Sequence, residues 1–466
     1  MNKIPEKFSG YLNIDNDTLT YYVSDSLVTM LPAQSNIKDI HTVFGRVTSR
    51  NDVSSEFVFG DYSGHEVAIL RKDKFYYDFW GQNRSIRFAT PLIIMACGNC
   101  QGFYEGLAED WKMFHAITFY GGNINAVFSP KIAVKPEHTF PSDNGARGIE
   151  ILPWDNYTFS KSFKLLNEQI DIIISVAQSD GNTENPVTNG YNLGKLNSFI
   201  QFTFKNAQGF ERIEKYYNIT KSLVAVLIGD NNISFDVSLK QRLSEKHFYQ
   251  TAVCKINDHY ENYSNKSDFN VIPLCSIIDY LPNLIHIIDS GVAKTIIPLL
   301  SKNNNTRNQI TITNVQDMCT ALEVAYNWNH GKREKDKLIS SLKEKIKATI
   351  RDFSDEHSEI DVNQQTTISS SFQYLDFTLK EKILTLYSEN KEIIDSITTK
   401  YRMEPLSEST ITSFVKLRNG KTHSGRIEWG NCADYFMPLL AIVYSELFKY
   451  AGIPEDLIEQ LISCHF

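Results

Sequence analysis

The stretch Val315-Gln316-Asp317-Met318-Cys319-Thr320-Ala321-Leu322-Glu323-Val324-Ala325-Tyr326 decides how the last third of the chain reads. Its apolar residues Val315, Met318, Cys319, Leu322, Ala325 and Tyr326 recur at i, i+3, i+4 and i+7, which places them on one face of an α-helix. Helical patterns continue downstream. Lys332–Phe353 is a charged segment with Leu338, Leu342, Ile346 and Ile350 every fourth residue. Leu379–Ile397 reads as a third helix, Ser409–Leu417 begins a fourth, and Tyr435–Tyr450 is a fifth with Phe436, Leu440, Val443 and Leu447 on one side. The expectation is an all-α bundle over 309–466.

Upstream, the polar run Lys302-Asn303-Asn304-Asn305-Thr306-Arg307-Asn308 reads as a domain boundary. Residues 1–205 carry short aromatic and β-branched runs between turn-forming residues: Thr20–Val23, Glu56–Phe59 and His115–Tyr120. Many short strands spaced by turns predict a β-rich, sandwich- or barrel-like domain. The polar stretch Gln178–Gly194 reads as a surface excursion. Residues 206–301 mix the two types. Leu223–Ile228 fits a buried helix or strand equally, Phe248–Val253 is strand-like and Leu281–Leu300 helical. The fold class expected is therefore α+β and multidomain.

Composition bounds the function. The chain has 466 residues, 42% hydrophobic and 22% charged, which is ordinary for a globular protein and excludes wholesale disorder. Its net charge is −8, so nucleic acid would have to be met by a local cluster and not by overall charge. Cysteine number is odd, seven, and the residues are scattered, which predicts reduced thiols in a cytoplasmic setting. No secretory leader is expected from Met1–Lys7, and Phe436–Val443, interrupted by Pro438, is too short to cross a membrane.

The segment with chemical content is Ile411-Thr412-Ser413-Phe414-Val415-Lys416-Leu417-Arg418-Asn419-Gly420-Lys421-Thr422-His423. Ile411, Phe414 and Val415 set an apolar face. Arg418, seven residues after Ile411, returns to that face; Asn419 follows Val415 by four and His423 follows Asn419 by four. A core-facing Arg needs a carboxylate partner or an anionic ligand. Histidine titrates near neutral pH. An Arg that holds phosphate beside a His that moves protons is what phosphodiester transesterification needs.

These residues resemble the signature of HEPN domains, helical ribonucleases whose motif is an Arg, then Asn, Asp or His, then a His four to six positions on. The element Thr320-Ala321-Leu322-Glu323 resembles the Leu-Glu element of the ApeA-type branch. Phe8-Ser9-Gly10-Tyr11-Leu12, Arg87-Phe88-Ala89 and Leu107-Ala108-Glu109-Asp110-Trp111 are similar to the N-terminal domain of ApeA-type anti-phage proteins. The resemblance implies a metal-independent endoribonuclease without cofactor, with Arg418, Asn419 and His423 as its site. It implies cleavage of RNA, tRNA among the candidates, to a 2′,3′-cyclic phosphate and a 5′-OH during abortive infection. It further implies a homodimer through the helical domain, a phage-derived trigger at the N-terminal region, and Glu323 as a holder of Arg418 or as a core ion pair. The competing reading is a catalytically silent HEPN bundle that binds RNA or dimerises.

The letters alone are weak, since 14 Arg and 11 His give about 0.3 chance matches. Arg242–His247 and Arg351–His357 also fit; the first lacks the polar residue after Arg, and Asp352, Asp355 and Glu356 in the second would repel a phosphate. Other signals favour plain readings. Cys97-Gly98-Asn99-Cys100 has zinc-like spacing but no second pair, with Cys254 or His115 as remote partners. Phe75–Trp80 with Arg84 and Arg87 could stack bases but reads better as core. The basic run Lys332–Lys347 is interleaved with Glu334, Asp336 and Glu344, as on a solvated helix. Gly420-Lys421-Thr422 mimics the end of a P-loop, but Val415 stands where its first Gly belongs.

Overall fold

The computed structural model describes residues 4–14, 17–32, 45, 47, 56–78, 85–97, 110–137, 148–165, 167–178, 196–244, 247–258, 270–291, 293–300, 310–331, 337–357, 361–371, 378–420 and 434–466. The protein is α+β: an extensive antiparallel sheet in the N-terminal part and helices in the C-terminal part. It divides into two compact units, Met1–Val224 with Ile233–Asn262, and Ala225–Asn232 with Tyr263–Phe466. The strands of the mixed region fall in the first unit and its helices after 280 in the second. The boundary expected at Lys302–Asn308 and the excursion expected at Gln178–Gly194 lie, apart from Gln178, outside the described residues.

In the first unit the strands are β1 (Lys7–Ile14), β2 (Asp17–Ser24), β3 (Leu27–Pro32), β4 (Glu56–Tyr62), β5 (His65–Arg71), β6 (Tyr76–Asp78), β7 (Ser85–Ala89), β8 (Leu92–Ala96) and β9 (Phe114–Tyr120). They continue as β10 (Val134–Glu137), β11 (Gly148–Ile151), β12 (Phe159–Leu165), β13 (Glu168–Gln178), β14 (Leu196–Gln208), β15 (Asp236–Arg242) and β16 (Phe248–Ile256). All but β10 and β11 form one sheet in the order β12-β13-β14-β9-β15-β16-β8-β5-β4-β1-β2-β3-β7-β6. Alternation puts every second side chain on one face. Phe8, Leu12, Tyr21, Val23, Val28, Met30, Val67, Ile69, Phe88, Ile93, Met95 and Val253 meet there in a single buried cluster. Gly10 and Gly60 let β1 and β4 close: a Cβ on Gly10 would lie 1.8 Å from the Asp61 carbonyl oxygen. Arg71, wholly buried, pairs with Glu56 at 2.9 Å and lies 4.2 Å from the Phe75 ring centroid. That contact and its 4% exposure make Phe75 a core ring.

Two short or split helices, α1 (Ile124–Val127) and α2 (Ile213–Ile228), accompany these strands; α2 contributes its residues up to Val224 to the first unit. The ambiguous Leu223–Ile228 is thus helical, since the run upstream extends it to 16 residues, beyond strand length. Phe202 and Phe204 of β14 meet Tyr216 with ring centroids 5.2 and 4.9 Å apart.

The second unit contains α3 (Leu281–Asp289), α4 (Ala293–Ile296), α5 (Ile312–His330), α6 (Lys337–Glu356), α7 (Val362–Ser371), α8 (Leu379–Glu389), α9 (Lys391–Lys400), α10 (Glu408–Gly420), α11 (Phe436–Tyr450) and α12 (Glu455–His465). The helix expected over 281–300 is broken at Gly291, whose φ of 93° an L side chain resists. The helix expected over 379–397 is two, hinged at Asn390. Every apolar residue of the α5 stripe is buried. Those of α6 are not: Leu338 is 80% and Leu342 46% exposed.

Candidate functional site

Helix α10 packs against α5 and α8. Ile411, Phe414 and Leu417 are buried, and Arg418, one turn beyond Phe414, is half-buried on that side. Arg418 lies close enough to the buried Cys319 of α5 to act on its thiol. Burial pushes that thiol up to about 12; the Arg418 cation pulls it down and the Glu323 carboxylate pushes it up. The sequence expectation that Arg418 faces the bundle therefore holds. Asn419 continues the helical backbone, and its side chain, with His423, lies outside the described residues.

Glu323 lies one turn after Cys319 on α5. Its ion pair is with Lys382 of α8, 2.8 Å away, so the described contact of Glu323 is a partly exposed ion pair and not a clamp on Arg418. Lys382 also stands 5.9 Å from the Tyr326 ring centroid. Further along α5, Tyr326 stacks on His330 at 4.3 Å, and His330 Nε2 is 3.0 Å from Glu389 Oε2. Deeper still, Glu446 of α11 is 1% exposed. Its carboxylate accepts hydrogen bonds from Asn329 at 2.7 Å and Asn390 at 2.8 Å, and Lys449 lies 3.3 Å away. Polar and charged groups thus follow one another along α5 from Arg418 to Lys449.

His330, Glu389 and Glu446 bring three ligand-type atoms within 4.8 Å of one another. The lone pairs of Glu446 already serve two amides and an ammonium, so the arrangement is complete as a hydrogen-bonded joint. Sequence reading missed it. The signal was Glu446 itself, one carboxylate inside the apolar run Leu439–Phe448. Beside α10, Ile383, Leu406, Thr410, Ile411, Phe414, Tyr435 and Leu439 line a shallow apolar recess too small to hold a water molecule.

The two rival matches are local structure. Arg242–His247 spans a hairpin in which Leu243 N donates to His247 O at 2.8 Å and Ser244 Oγ meets His247 Nδ1 at 2.9 Å. Arg351 and His357 lie at the end of α6, where the Phe353 and His357 rings meet at a tilt with centroids 4.3 Å apart. Of the zinc-like pair, Cys97 accepts from Gln250 Nε2 at 3.4 Å, while Cys100 lies outside the described residues. Cys254, with its thiol driven up by burial and then by Cys97, is near it; His115 Nδ1 accepts from the Arg242 amide at 3.4 Å. Among the described residues, neither joins Cys97 in a group of three metal-ligating atoms.

The chain matches no family model, no curated protein and no solved structure. Among the described residues, no helix is long and apolar enough to cross a membrane.

Proposed function

We propose that the second unit is a metal-independent HEPN-type endoribonuclease, acting in the cytoplasm on cellular RNA, tRNA among its candidates, in anti-phage abortive infection. The first unit senses a phage-derived trigger or restrains the nuclease. The observation that carries this reading is Arg418: a guanidinium half-buried on the inner side of α10, five residues before His423. A cation held there without full solvation costs free energy unless it has an anion to meet, and a phosphodiester supplies one.

In this reaction the ribose 2′-oxygen attacks the adjacent phosphorus, and the bond from phosphorus to the 5′-oxygen breaks. His423 takes the 2′-OH proton or delivers one to the departing 5′-oxygen. Arg418 neutralises the charge that builds on the non-bridging oxygens, and Asn419 orients the phosphate or His423. The products are a 2′,3′-cyclic phosphate and a 5′-OH. The nucleophile is internal, so the step requires no metal. Acid and base are both needed, and two copies of the chain, each giving one motif to a shared cleft, provide them.

The test is cleavage of total RNA and tRNA by the full chain in EDTA. The parent cuts, and His423→Ala and Arg418→Ala fall by at least a hundredfold. Equal rates in parent and variants reject the assignment. Retained RNA binding without cleavage in all three leaves the silent-bundle reading in its place.

A further inference from the structure

We propose that the polar face of β14, β9 and β15 is a binding site for an oxyanion, the phosphate or carboxylate group of a small molecule, held by Lys240 and Arg242. The inference is independent of the nuclease reading, because every residue in it belongs to the first unit.

The opposite face of these strands is apolar. Ile200, Phe202 and Phe204 alternate with Gln201 and Thr203 along β14, and Ile117 and Phe119 alternate with Thr118 along β9. Ladder register then sets Gln201 beside Thr118 and Thr118 beside Ser238, and Thr203 beside Ala116 and Ala116 beside Lys240. Thr118, Gln201, Thr203 and Ser238 are all buried. A buried row of hydroxyls and an amide is costly where apolar side chains would serve, unless the groups have something to bind.

The hydrogen-bond directions leave donors to spare. Gln201 Oε1 accepts from Thr118 Oγ1 at 3.0 Å and from Lys240 Nζ at 2.9 Å. An ammonium has no lone pair, which fixes the amide oxygen on that side. Gln201 Nε2 therefore donates to Thr203 Oγ1 at 3.3 Å, and the Thr203 hydroxyl keeps its own proton to give onward. Lys240 uses one N–H on a neutral oxygen and packs 5.5 Å from the Phe199 ring centroid.

Among the described residues, neither cation has a carboxylate partner. Asp171 and Asp236 lie on the same face by alternation, yet no ion pair joins either to Lys240 among the described residues; Asp171 accepts from Ser162 instead. Arg242, two residues after Lys240 and so on its face, donates through Nη2 to the Phe204 carbonyl at 2.6 Å. Its Nε is buried and, among the described residues, has no hydrogen-bond partner. Burial holds Lys240 down to about 8, and a bound anion would raise it toward its ordinary value. Burial, and then the Arg242 cation, lower the His115 imidazole below its ordinary range. Two cations and a hydroxyl proton without an anion are the donor set of an oxyanion site.

Thermal unfolding of the full chain tests this, with inorganic phosphate and succinate each titrated to roughly 50 mM against sodium chloride of equal ionic strength. The parent gains several degrees, saturably, from phosphate, from succinate or from both, and the effective anion names the ligand class. Lys240→Met and Arg242→Met each weaken that response at least tenfold, and Thr203→Val, the mildest change, weakens it measurably. Thr203→Val also decides the matter if the cation variants do not fold. A parent response no larger than that to chloride, or equal responses in parent and the folded variants, overturns the proposal.

Discussion

Replacing Glu446 by alanine removes the centre of the buried joint in the second unit, and the structure sets the size of the effect. The carboxylate has three partners. Lys449, 20% exposed at its side chain, can turn to water, so its loss counts least. Asn390 is 2% exposed. One of its N–H groups keeps the Leu386 carbonyl at 2.8 Å, and the other loses Glu446. Asn329 keeps the backbone oxygen of residue 446 at 3.1 Å and loses the carboxylate. Two charge-assisted hydrogen bonds at about 1.5–3 kcal/mol each bring the loss to about 3–6 kcal/mol. At about 2–4 °C per kcal/mol for a unit of this size, the helical far-UV signal should melt roughly 6–24 °C lower. Glu446→Gln keeps the volume but turns an NH2 group toward one of the two asparagine donors, so it should fall between. If Glu446→Ala melts within about 2 °C of the parent, the joint does not hold these helices together and the reasoning fails.

Three further outcomes follow from burial and charge. Iodoacetamide at neutral pH should label the exposed Cys275 and Cys464 about a hundredfold faster than Cys319, which is buried with its thiol raised to about 12; equal rates by mass spectrometry would contradict that placement. Lys240 has a folded value of about 8 against its ordinary 10.5, so the unfolded chain binds more protons between them and stability rises with pH across that window. The melting temperature of Lys240→Met relative to the parent should therefore fall from pH 8 to 9.5, below the range where Tyr120, raised to about 12, begins to oppose it; an unchanged difference would refute the burial of that charge. Leu338→Gln on α6 should change stability by no more than about 0.5 kcal/mol in urea titration, because the side chain is 80% exposed; a loss above about 1.5 kcal/mol would show it packed.

Helical periodicity was legible wherever the apolar stripe found a partner. The α5 stripe from Val315 to Tyr326 is buried throughout, whereas the equally regular stripe of α6 is solvent-facing, because spacing reports an amphipathic surface and not what covers it. Breaks were harder to read. Asn390 ends one helix and precedes the next because its side chain serves Glu446 and Ser445, 56 and 55 residues away, and Gly291 needs a positive φ that a helix pattern does not announce. The strands were visible singly, but their order was not: β9 lies between β14 and β15, a pairing across about eighty residues that no local signal carries. In the candidate site, the inward turn of Arg418 followed from its distance to Ile411. The Glu323–Lys382 pair did not, since its halves are 59 residues apart.

The most direct test of the nuclease account is selective capture of RNA ends bearing a 2′,3′-cyclic phosphate after incubation of cellular RNA with the full chain in EDTA. The account predicts discrete, reproducible ends with the parent and none above background with His423→Ala. Ends that persist in the His423 variant, or ends carrying a 3′-OH, would contradict it.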